Sequence, residues 1–225
     1  MLPTVPRVKR IVLDFEKSAW KALSRVLPTV KLSGCSFHWS KAVWRKIQYL
    51  GLQAAYHEDR AAQTFLRKVM ALPYIPADDI EEMFNRLHEQ ANQNNSLLNL
   101  LQYVSKTWIY ANRWNPTTWS VYRRNIRTNN DIEGWHNRIN QQASNRHQLP
   151  FYELVKLLHK KAKTVDLQVE LVSQRKLTRI QRKQYLELQS HIIRLWDRFD
   201  NDEIDVYRLL TECSTLAVPS VCTSD

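Results

Sequence analysis

Only three glycines occur in the 225 residues, and that scarcity constrains the fold more than any other single feature. Hairpins and tight turns draw on glycine for positive backbone φ angles. A chain this poor in glycine has few ways to turn strand back on strand, so helix is expected to dominate. Hydrophobic residues make up 44% of the chain, enough for a sizeable core and too many for a wholly disordered polymer.

Strand signal is confined to the first forty residues. "RIVLDFE" (10–16) opens with a short apolar run and ends at an acidic pair, the pattern of a buried strand that delivers a carboxylate at its C-terminal end. "KSAWKALSRVL" (17–27) sets Ala19, Trp20, Leu23 and Leu27 on one helical face, and Pro28 closes it. "VKLSGCSFHW" (30–39) reads as a second strand. "SKAVWRKIQYLGL" (40–52) reads as an amphipathic helix with Ser40 as its N-cap. Strand, helix, strand, helix is the rhythm of a βαβ unit.

From residue 56 to 122 the periodicity is helical, in "RAAQTFLRKVMAL" (60–72), "YIPADDIEEMFNRLHEQ" (74–90) and "SLLNLLQYVSKTWIY" (96–110). "NRWNPTTWSVYRRN" (112–125) reads as a tryptophan-rich loop with a turn at Asn115-Pro116. Further helices are expected over 149–165 and through a charged tail to about residue 211, with frayed residues after it. The expected organisation is a βαβα segment (8–55), a helical insertion (56–122), closing helices (123–163) and a charged helical tail (164–225).

The formal net charge is +11, and it is unevenly placed. Residues 1–50 carry ten basic against two acidic side chains, and residues 123–183 carry fourteen against five. Residues 51–122 are nearly neutral, and the end from 184 is acidic, with three against eight. Basic blocks attract polyanions, nucleic acid first among them, although a solubilising surface has the same composition. Arg123, Arg124, Arg127 and Arg138 are the candidate phosphate contacts. Three cysteines at no framework spacing suggest a reduced, intracellular compartment. No stretch reaches the about 20 apolar residues of a membrane span, so no membrane partner is expected.

Asp14, where a strand ends, and Glu133, at the start of a helix, are carboxylates from distant parts of the chain. Such pairs serve two-metal phosphoryl chemistry through hard oxygen ligands. Each also has an ordinary reading, Asp14 as a strand-end or helix cap and Glu133 as part of a capping box with Asn130. In "RTNNDIEGWHNRIN" (127–140), Ile132, Trp135 and Ile139 share one helical side. Glu133, His136, Asn137 and Asn140 share another. Such a polar stripe lines a site or faces solvent. "CSFH" places Cys35 and His38 at half of a zinc spacing. With no second ligand pair, a buried Cys and a hydrogen-bonded His are expected and no zinc. Trp108, Trp114 and Trp119, just before "YRRNIR" (122–127), either stack on bases or fill a helical core.

"LDFEKSAWKAL", "GCSFHWSKAVWRKIQYLGLQAAY", "ALPYIP" and "RTNNDIEGWHNRIN" resemble, in order, the C-terminal part of MULE (Mutator-like element) transposase domains over residues 8–160. The resemblance implies an RNase H-like fold with an Asp-Asp-Glu triad, Mg²⁺-dependent DNA cleavage and strand transfer, and a nuclear location. Asp14 resembles the second triad aspartate and Glu133 the glutamate. Cys35 and His38 match a Cys-x₂-His motif, and His38 and His136 would lie beside the metals or on DNA. The first aspartate has no counterpart among the thirteen residues before Asp14. The expectation is therefore an α/β, helix-dominated chain with an incomplete RNase H-like core, a helical insertion and a helical tail. It would be a fragment, a decayed copy or a host-adopted derivative, inactive alone. The alternative is a non-catalytic nucleic-acid-binding or protein-interaction module, with homo-oligomer contacts through its helices.

Overall fold

The computed structural model describes residues 8–91, 94–128, 130–143, 148–173 and 183–216; the side chains of 130–133, 164–169, 171–173 and 183–186 lie outside this set. The protein is 72% helical, with eleven α-helices and one two-stranded sheet among the described residues. It divides into two compact units, Met1–Asn129 with Leu188–Asp225, and Asn130–Glu187.

The first unit begins with the expected βαβ. Strand β1 (Arg10–Leu13), helix α1 (Lys17–Val26) and strand β2 (Lys31–Gly34) follow in order, and the strands pair in parallel from Arg10↔Lys31 to Leu13↔Gly34. Parallel pairing requires a crossover, which α1 supplies. Trp20 clamps α1 onto the strand end, its indole N–H donating to the Asp14 carbonyl at 2.6 Å.

Both strands are shorter than expected, and β2 ends at Gly34 because helix α2 (Ser36–Tyr49) starts four residues before Ser40. The cause lies far along the chain. The Ser36 N–H and Oγ both donate to the Arg127 carbonyl, at 3.0 and 3.1 Å, so the helix start is held by a loop ninety-one positions away. Ser40, expected as the cap, is buried inside the helix. At the other end Gly51 takes φ 69°, with Leu52 N–H on the Ile47 carbonyl and Gly51 N–H on that of Gln48. This is the left-handed helix stop that glycine favours.

Helices α3 (Gln53–Glu58), α4 (Arg60–Ala71), α5 (Ile80–Gln90) and α6 (Asn95–Val104) follow. Asp59 caps α4 through the Ala61 N–H at 2.8 Å, and Asn94 caps α6 through Ser96 and Leu97. A π-helical turn over Ser105–Ile109 prolongs α6 and delivers Trp108 into the core. The tryptophan-rich loop contains one short helix, α7 (Pro116–Trp119), with proline at its first position.

The second unit takes α8 (Asn130–Gln142), α9 (Phe151–Ser173) and the first residues of α10 (Lys183–Asp200). The rest of α10 and all of α11 (Val206–Leu216) return to the first unit. This region was expected to be a charged helical tail, and it is helical. Ile192, Leu195, Trp196, Leu209, Leu210 and Cys213 are core residues, and the Trp196 indole donates to the Tyr74 carbonyl at 2.8 Å.

An aromatic cluster joins the βαβ unit to the helices. Trp39 stacks on Trp119 with centroids 4.2 Å apart, and Trp108 packs edge-on against Trp39 at 4.9 Å and Phe15 at 4.5 Å. The Trp119 indole donates to the Trp108 and Trp114 carbonyls. Trp108 and Trp119 are therefore core residues, not base-stacking platforms, and Trp114 packs against the same core. Gly34 lies beneath this cluster. A Cβ there would collide with the Phe15 ring and approach the Trp119 Cβ to 3.2 Å. Gly34→Ala is expected to cost about 1–3 kcal/mol through overpacking, read as a lower urea midpoint with an unchanged slope.

Candidate functional site

The sheet brings part of the expected site together. Leu13 and Gly34 are paired, and the Cys35 N–H donates to the Leu13 carbonyl at 2.7 Å. Asp14 and Cys35 therefore follow one another across the C-terminal edge of two parallel strands, where α/β sheets present ligand-binding groups. His38 stands in the first turn of α2 on the same edge. Asp14 is half-buried. Its main-chain carbonyl is taken by Trp20, while its carboxylate has no hydrogen bond or ion pair among the described residues. Cys35 is fully buried, and His38 is half-buried with its ring 5.5 Å from that of Phe37. Among the described residues no three His, Cys, Asp or Glu side chains group closely enough to hold a metal ion.

Glu133, His136 and Arg138 lie on α8, in the second unit. The Glu133 side chain is outside the described set. Asn130 is the first residue of the helix, not the residue before it. His136, Asn137, Arg138 and Asn140 are exposed. Trp135, expected on the buried side with Ile139, is 41% exposed, and its ring lies 5.3 Å from that of His136. The described part of the polar stripe is solvent-facing, and Trp135 and Ile139 beside it are at most partly covered.

The three neighbouring arginines have three different environments. Arg123, at φ 54°, donates to Asp197 at 2.7 Å and to Asp200, whose other oxygen accepts from the Tyr122 hydroxyl. The Tyr122 hydroxyl, and then Arg123, hold the Asp200 carboxyl below its usual range against the opposing effect of partial burial. Arg127 is only 4% exposed, with its guanidinium 5.8 Å from the Trp196 ring and its carbonyl holding the start of α2. Burial pushes the nearby Cys213 thiol up to about 12.

Arg124 is half-buried and donates to the Thr117 carbonyl at 3.1 Å. Burial, and then the positive charge of Arg10, lower its pKa to about 10, which leaves it charged at neutral pH. Neither cation has a carboxylate partner among the described residues, and the charge of Arg10 acts on Arg124. Arg10 was not singled out in the sequence, because only the fold carries it to Arg124.

Asp200 ties the loop after α7 to α10, and its depressed pKa sets a sign. The folded value lies below the unfolded value of about 3.9, so the carboxylate contributes stability above that pH and loses it as pH falls through the folded value. Wild type is expected to lose more stability between pH 5 and pH 2.5 than Asp200→Asn does. The difference should stay below about 1 kcal/mol, since the side chains of Arg123 and Asp200 are 37% and 44% exposed. Urea unfolding at the two pH values reads it.

No family model, curated protein or solved structure matches this chain.

Proposed function

We propose that this chain is a DNA-binding derivative of a MULE-type Asp-Asp-Glu transposase with an RNase H-like core, acting in the nucleus. The observation that carries the reading is Asp14, a carboxylate with no partner among the described residues, at the end of β1 beside the Cys35–His38 motif. The motif order along residues 8–160 supports Glu133 as its companion. Asp14 and Glu133 would hold Mg²⁺, which when bound stabilises charge on a reacting phosphate. A strand-end carboxylate outside any ion pair is a fitting hard-oxygen ligand. These 225 residues offer two of the three triad carboxylates, so metal binding is expected to be weak and the purified chain catalytically silent.

The DNA-binding part of the proposal draws on the cations that the fold leaves without a carboxylate. Arg10 and Arg124 form one such pair. In the second unit Arg138, Lys156, Lys160 and Lys163 are exposed. Their contacts would be to phosphates and therefore indifferent to sequence. A non-catalytic module derived from the same ancestor would share this surface without the metal ligands in use.

Affinity for duplex DNA is expected to fall steeply with salt, because each neutralised phosphate releases counterions. The Arg10→Ala, Arg124→Ala double variant should reduce the slope of log K against log salt by about 1.8, at about 0.9 per phosphate contact. An unchanged slope would remove this pair from the interface, and binding insensitive to salt would remove the DNA reading. Calorimetry with Mn²⁺ separates the transposase site from the simple module. Weak binding lost in both Asp14→Asn and Glu133→Gln supports the carboxylate pair, whereas no binding favours the module. Nicking of supercoiled plasmid that disappears in Asp14→Asn would show that another carboxylate, with Glu16 and Asp131 nearest in sequence, completes the site.

A further inference from the structure

On α4, Arg60, Thr64 and Lys68 recur every four residues and so share one face. On α5, Arg86 and Gln90 do the same. A groove of about 560 Å³ runs between them, lined by Arg60, Ala61, Thr64, Phe65, Lys68 and Gln90. Tyr207, from α11, joins two of its lining residues. Its hydroxyl oxygen accepts from Lys68 Nζ at 2.8 Å and from Gln90 Nε2 at 3.2 Å. The Tyr207 ring lies 4.3 Å from Lys68 Nζ and 5.1 Å from the Arg86 guanidinium.

Lys68 is unusual because it is only 7% exposed and has no carboxylate partner among the described residues. Arg60 and Arg86 likewise pair with no carboxylate among the described residues. A buried ammonium without a counter-charge is costly, and proteins offset that cost with a paired anion or with neutralisation. Hydrogen-bond accounting shows where an anion would attach. An ammonium has three N–H donors, and Tyr207 takes one from Lys68. A hydroxyl that already accepts two hydrogen bonds has its own hydrogen left for an outside acceptor. Two Lys68 donors and the Arg60 fork therefore line one groove, and the Tyr207 O–H and the Arg86 guanidinium lie beside its Lys68 and Gln90 wall.

We propose that this groove is a binding site for a phosphate oxyanion. A tetrahedral phosphate suits donors arriving from three helices, because its oxygens point in separate directions and each accepts more than one hydrogen bond. The planar two-oxygen carboxylate would leave donors idle. The Tyr207 hydroxyl is itself drawn towards ionisation, first by the Lys68 hydrogen bond and then by that of Gln90, against partial burial. The field that would attract a phosphate thus already acts on the phenol. The phosphate is carried either by a small mobile anion or by a nucleic-acid backbone, and both present the same chemistry. This site lies apart from Asp14, Arg10 and Arg124, and it does not rest on the transposase reading.

The test is calorimetry on the full chain at constant ionic strength with two probes, inorganic phosphate and a twelve-nucleotide oligothymidylate. Lys68→Met keeps the packed stem and removes the ammonium, so it is compared with wild type after circular dichroism has confirmed its fold. Should that variant not fold, the Arg60→Ala, Arg86→Gln double variant, altered only at exposed positions, takes its place. Affinity is expected to fall about tenfold or more. A loss for both probes assigns the site to small phosphates as well as to backbone. A loss for the oligonucleotide alone assigns it to nucleic acid. Affinities for both probes that match wild type, or no binding of either probe by wild type, overturn the proposal.

Discussion

The stack of Trp39 on Trp119 is the contact on which the first unit depends. Two paired strands of four residues each have too little surface to persist alone, and three or more strands or a packed helix are normally needed. Here the βαβ unit is stabilised by what its loops insert elsewhere. Phe15, directly after β1, enters the tryptophan cluster, and Gly34, at the end of β2, makes room for it. The π-helical turn supplies Trp108, and α7 supplies Trp119. Asp14 is thus held in place by the burial of its neighbour, and the candidate site inherits its geometry from an aromatic core.

Much of this was legible in the sequence, and the exceptions have physical causes. The βαβ rhythm and helices within 60–72, 74–90 and 96–110 appear where periodicity predicts them, because each has one apolar face and one core to cover. The start of α2 was not legible, since the acceptor that fixes it is the carbonyl of Arg127. Composition favours Ser40 as a cap, and tertiary contact overrides it. The tryptophans near Arg123 fit two patterns equally well, because an indole that fills a core and one that stacks on a base have the same sequence signature. The helices after residue 188 carried a clear signal in Ile192, Leu195 and Trp196, but their charged surroundings suggested a peripheral tail.

Charge also looks different once folded. The acidic end of the chain is drawn into the fold. Its carboxylates take up particular arginines, Asp197 and Asp200 pairing with Arg123, and Glu212 with Arg198 and Arg208. What remains is a selective residue of positive charge. Arg10 with Arg124, and Lys68 with Arg60 and Arg86, stay without carboxylates among the described residues. The net charge of +11 is thus spread unevenly, and the pairing pattern decides which cations keep no carboxylate beside them.

The first unit is also discontinuous. Trp196 reaches the Tyr74 carbonyl across 122 positions, and Lys68 meets Tyr207 across 139. Contacts this distant in sequence raise the entropy lost before any packing is gained, and they slow folding. On the ribosome the consequence is an order of events. The βαβ unit and α4 to α6 emerge with an apolar flank open, and a whole second unit is made before α10 and α11 arrive to cover it. Through that interval the nascent chain presents bare hydrophobic surface, the condition under which chaperones bind and premature association begins.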